Sequence, residues 1–80
     1  MSKNSNLSEI DAWRVKKYQE CMEASEHQMR VALMVFGSGD KKGYEAHKAS
    51  ASKYTKRANL LDTETFKTIA EGEAALEEIR

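Results

Sequence analysis

An all-α fold built on a long antiparallel helical hairpin is expected from three features of this 80-residue sequence. Proline is absent, while Ala, Glu, Lys, Leu and Met are plentiful, residues that lose little side-chain freedom in a helix. Apolar residues recur at alternating steps of three and four with no period-two alternation, the signature of helix faces. The glycine-bearing segment 37–43 separates two long stretches of that pattern.

The elements follow in order. Residues 1–6 are polar and are expected to form a disordered leader, with residues 7–80 as a single helical domain. Ser8 suits an N-cap, with Glu9 and Asp11 in the first turn where acidic groups favour the helix dipole. A first helix over about residues 8–36 carries Val15, Tyr18, Met22, Ser25, Met29, Ala32 and Phe36 as a heptad seam. Leu7, Ile10 and Trp13 lie slightly off that stripe. Residues 31–36 are apolar on every side, so more than one neighbour must cover them.

Gly37 suits the left-handed position that closes a helix, and Gly39 adds freedom. Asp40 then caps a second helix over about residues 41–61, whose seam is Tyr44, His47, Ala51, Tyr54, Ala58 and Leu61. Its continuation would be Thr65, Thr68 and Gly72, yet apolar residues resume at Phe66, Ile69, Leu76 and Ile79. Asp62 and Thr63 are capping types, so a break is placed near Asp62, either a kink or a reversal, before a third helix over about residues 64–79.

Folding the chain at the glycines sets Phe36 opposite Tyr44, Ala32 and Leu33 opposite His47, and Met29 opposite Ala51. Further out, Ser25 meets Tyr54, Met22 meets Ala58 and Tyr18 meets Leu61, bulky residues against small ones as interdigitating layers require. Glu20, Glu23 and Glu26 come to oppose Lys53, Lys56 and Arg57. Exposed pairs contribute only ~0–1 kcal/mol each, so their expected part is to set direction and register.

A chain this short buries only about 60% of its unfolded surface and commonly needs a staple. Cys21 is the one cysteine, which excludes an internal disulfide. Cys21, His27 and His47 match no zinc spacing. Self-association is the remaining staple: a homodimer forming a four-helix or larger bundle, with a monomeric three-helix bundle as the alternative. Thirteen basic and thirteen acidic residues give a net charge of zero, so no global field draws the chain to nucleic acid or an anionic membrane. The longest apolar run, residues 31–36, falls far short of the roughly 20 residues that span a bilayer. A lone thiol and a polar start point to the cytoplasm, of the cell or of an infected host.

Reactive constellations are equally scarce. The G-x-G-x-x-x-G spacing is neither the dinucleotide nor the Walker pattern, and no strand precedes it. A Cys21–His pair would need displacement by about two helical turns. No catalytic residue, metal or cofactor is assigned, and enzymatic activity is not expected. The acids Glu71, Glu73, Glu77 and Glu78 read as a solvated face.

Residue types enriched at protein interfaces mark the remaining candidates. Trp13 either caps the open end of the bundle against Phe66 or presents itself to a partner. Gly72, flanked by Ala70, Ala74 and Ala75, invites close approach of another backbone. Met34, Leu76 and Ile79 complete the candidate protein-interaction set. Lys48, Lys53, Lys56 and Arg57 with Tyr54 form the candidate nucleic-acid footprint, partly neutralised in the hairpin by the opposing acids.

In size and hairpin plan the chain resembles subunits of type III secretion needles, which also end in a helix bearing a Phe/Ile-Lys-x-Ile/Val stretch. Phe66-Lys67-Thr68-Ile69 and Ile79-Arg80 carry that resemblance. The family's proline-bearing turn is replaced by the glycines of residues 37–43, and no functional residue is carried over. The expected function is a small protein-interaction module that binds and modulates a protein partner. Small helical inhibitors of host machinery encoded by viruses and mobile elements are of this type. The alternatives are a nucleic-acid-associated regulator using Lys41, Lys42 and the basic footprint, and a structural subunit of a helical assembly.

Overall fold

The computed structural model describes residues 8–80; the expected leader, residues 1–6, and Leu7 lie outside them. The described chain is all-helical: α1 (Glu9–Gly37), α2 (Lys41–Thr63) and α3 (Ile69–Glu77). α1 starts where Ser8 accepts a hydrogen bond from the Asp11 amide at 3.2 Å and donates its hydroxyl to Asp11 Oδ2 at 3.0 Å. One otherwise unpartnered N–H of the first turn is satisfied in this way.

Gly37 remains helical, and the left-handed residue is Gly39, with φ of +86°. The turn therefore falls two residues later than the sequence pattern placed it. The Gly39 amide donates to the Phe36 carbonyl at 3.0 Å and the Asp40 amide to the Val35 carbonyl at 2.9 Å, which closes α1 with a Schellman motif. Asp40 at once caps α2 by accepting from the Gly43 amide at 2.8 Å. A Cβ on Gly43 would collide with that carboxylate, so the glycine there keeps the connection short.

α1 and α2 then run side by side. Near the turn the Phe36 and Tyr44 rings pack with centroids 4.9 Å apart. Further along, His47 Nδ1 and Gln28 Oε1 stand 2.8 Å apart, and Ser25 Oγ donates to the Ala51 carbonyl at 3.1 Å while lying 2.8 Å from Thr55 Oγ1. The seam is made of small side chains: Cys21, Ser25, Ala32, Ala51 and Ala58 are buried, and Leu61 is the large side chain fully enclosed among the described residues.

That seam is rotated from the expected one. Ser25 and Ala32 belong to both stripes, but Cys21 and Gln28 turn inward where Met22 and Met29 were expected, and Tyr18 faces outward. Val15, Met22 and Phe36 stay 52%, 43% and 56% exposed. Small residues allow the two backbones to approach closely, and a bulky side chain at the line of contact would hold them apart.

α2 ends at Thr63, after which Glu64 is extended. The third helix starts at Ile69 rather than near residue 64, because Thr68 is its cap and accepts from the Glu71 amide at 3.1 Å. The break is a reversal. Leu76 joins Cys21, Ala58 and Leu61 in the core cluster, with Trp13, Leu60 and Phe66 packed against it. Arg57 donates to the Ile79 carbonyl at 3.0 Å. α3 thus closes the end of the hairpin remote from the turn. The described residues span 55 × 25 × 16 Å, and the turn end is only two helices thick.

Candidate functional site

Three of the protein-interaction candidates meet within the chain. Trp13 is half-buried, Gly72 and Leu76 are buried, and a Cβ on Gly72 would stand 2.5 Å from Cη2 of Trp13. The absent side chain at Gly72 is the seat of the indole ring. Ile79 is half-buried and its carbonyl receives Arg57. Met34 stands apart, 71% exposed near the turn end.

The basic candidates lie on α2. Lys48 Nζ is 5.6 Å from the Tyr44 ring centroid, Lys53 Nζ is 5.0 Å from that of Tyr54, and Arg57 Cζ is 5.8 Å from the same ring. These are cation–π distances. Charge matching between the helices was expected to pair these groups with Glu20, Glu23 and Glu26. Instead the ion pairs among the described residues are local to α1: Lys17–Glu20 at 3.4 Å and Arg30–Glu26 at 3.3 Å. Helix neighbours three and four apart meet without ordering a second element, so these pairs win over cross-helix ones.

Cys21 sits in the core cluster, where burial pushes its thiol above the ordinary value of 9.0; Arg57 and Lys17 pull the other way and Glu20 adds to the rise. A thiol held neutral is a poor nucleophile. His47 contacts Gln28, two helical turns along α1 from Cys21, and His27 is exposed. The geometry brings neither imidazole to the thiol. Among the described residues no group of three His, Cys, Asp or Glu is arranged to hold a metal ion. No helix there is long and apolar enough to cross a membrane.

The surface feature that the seam pattern concealed is the flank of the hairpin left open by α3. Val15, Tyr18, Met22, Leu33 and Phe36 are 38–61% exposed along α1, with Met29 half-buried among them. A shallow groove lined by Tyr18, Met22, Thr55, Ala58, Asn59 and Asp62 runs beside this stripe. Val15, Tyr18, Met22, Met29 and Phe36 are members of the expected intramolecular seam, and their heptad spacing is the signal. Such spacing marks a buried stripe without saying which partner buries it.

No family model, curated protein or solved structure matches this chain.

Proposed function

We propose that this chain is a small protein-interaction module, acting as a homodimer that binds and modulates a second protein and carrying no catalytic activity of its own. One observation carries the reading: among the described residues Leu61 is the one large side chain fully buried, while six large apolar side chains remain 38–71% exposed. Five of them, Val15, Tyr18, Met22, Leu33 and Phe36, share one flank of α1, and contiguous apolar surface of this kind marks sites of association. Met34, at 71% exposure the most open of the six, is assigned to the second protein. Modulation by occupying a partner's surface, in the manner of a helical inhibitor, needs no reactive group.

Affinity capture from native lysate with the wild-type chain and with Met34→Asp tests this. A stoichiometric protein recovered by the wild type, resistant to nuclease and lost with the variant, is the expected result. Recovery of nothing, or equal recovery by both chains, counts against it. A second reading draws on Lys48, Lys53, Lys56 and Arg57, since the described structure gives these basic groups no carboxylate partner within ion-pair range. Nuclease-sensitive recovery with a steep loss in salt would favour that regulator. Polymer formation would favour the structural subunit.

A further inference from the structure

We infer that the open flank of α1 is a two-fold interface on which a second copy of this chain packs antiparallel, with the axis beside Ser25 and Glu26. The stripe Val15, Tyr18, Met22, Met29, Leu33 and Phe36 has spacings of 3, 4, 7, 4 and 3 residues. That series is the same in both directions. An isologous interface requires this property, because each residue must meet on the partner the residue that meets it in return. Laid antiparallel, Val15 of one copy meets Phe36 of the other, Tyr18 meets Leu33 and Met22 meets Met29, apolar against apolar at every level.

Rim charge and area agree with that occupant, and the two Glu26 carboxylates that the axis brings near each other are each paired with Arg30 of their own copy. Glu23 of one copy comes within one turn of Arg30 of the other on the rim of the stripe, and the reciprocal pair repeats across the axis. In the single chain Arg30 holds only Glu26, at 3.3 Å, and both side chains are about two-thirds or more exposed. The centre of the stripe needs small or inward-turned residues, and Ser25 there is buried and bonded to Ala51 and Thr55. Twenty-one helical steps between Val15 and Phe36 span about 32 Å, and two adjacent helices are about 20 Å wide. The resulting face is of the order of the ~800 Å² that each partner of a stable complex buries. Four helices, two from each hairpin, then enclose the stripe as a bundle, while Met34 stays outside on another side of α1.

This inference rests on the interaction-module reading, but the two fail separately. Sedimentation of the wild type from about 1 to 100 µM is expected to give twice the 9.1 kDa chain mass. Met22→Glu, at a side chain already 43% exposed in the protomer, is expected to halve that mass with helicity by circular dichroism unchanged. Direction is read by thiols in a Cys21→Ala background. Val15→Cys together with Phe36→Cys is expected to give a covalent dimer with oxidised glutathione, since the two positions are about 32 Å apart in one chain. Either substitution alone is expected to give none. A monomeric wild type overturns the inference, as does a dimer that cross-links through one thiol alone or through neither combination. A monomer that still captures its partner through Met34 overturns the dimer in both readings and leaves the binding of a second protein in place.

Discussion

A Cβ added at Gly72 would stand 2.5 Å from Cη2 and 2.8 Å from Cζ3 of Trp13, and 3.3 Å from Cδ2 of Phe66. Alanine gains about 1 kcal/mol of helix propensity over glycine, but overpacking a closed contact costs about 1–3 kcal/mol. The two effects oppose, and the indole is too rigid to yield at that distance. Gly72→Ala is therefore expected to lower stability by about 1 kcal/mol, or about 4–8 °C in Tm for a chain of this size. In a Trp13→Leu background the same change should raise stability instead; thermal melts of the four chains settle the sign.

Cys21 gives the fold a pH dependence of known direction. Burial raises its thiol above 9.0 in the folded chain, so the folded state holds the proton after the unfolded state has released it. Its contribution is complete below about pH 9 and is lost as pH climbs through the folded value. The stability margin of the wild type over Cys21→Ala is expected to narrow as pH rises from about 9 through the folded value, measured by urea unfolding. A constant margin across that range would show that burial does not perturb the thiol.

At the scale of elements, α3 is the most dependent part. Nine residues are too few for a helix to stand alone in water, and this one is held by its cap, by Leu76 and by the bond from Arg57 to Ile79. Thr68→Ala removes the cap at a cost of about 1 kcal/mol. Amide exchange over residues 69–77 is expected to accelerate while α1 and α2 keep their protection. Equal acceleration in all three helices would mean that α3 unfolds only with the hairpin.

The same helices show where sequence pattern sufficed. The Ser8 and Asp40 caps were legible because capping depends on adjacent residues, whereas the left-handed position was read at Gly37 and falls at Gly39. The start of α3 was placed too early, on Asp62 and Thr63. A better signal lay in Thr68-Ile69-Ala70-Glu71, the Ser/Thr-x-x-Glu series that opens helices. Phe66 masks it, because its three-residue spacing to Ile69 fits a helix that has already begun.

For the whole molecule, small side chains line the contact between α1 and α2 and large ones are turned outward. Such a chain gains little from hydrophobic burial by itself, since each large side chain enclosed contributes about 1.5–3 kcal/mol and, among the described residues, Leu61 is the one that is wholly enclosed. α3 covers one flank at one end. The other flank keeps Val15, Tyr18, Met22 and Phe36 in solvent, and a second copy would supply the missing layer. The candidates Trp13, Gly72 and Leu76 were legible as unusual positions, but sequence could not say that they would meet one another.

Composition and the three-four spacing by themselves determined that the chain is helical, where it turns, and which residues share a stripe. These are properties of single segments, fixed by local propensity and by 3.6 residues per turn. Tertiary structure alone decided that the contact line is rotated onto Cys21 and Gln28, that the chain reverses after Thr63, and that Trp13 seats on Gly72. The reason is steric: how far a helix rotates against its neighbour depends on how closely two backbones can approach, and that distance belongs to the pair.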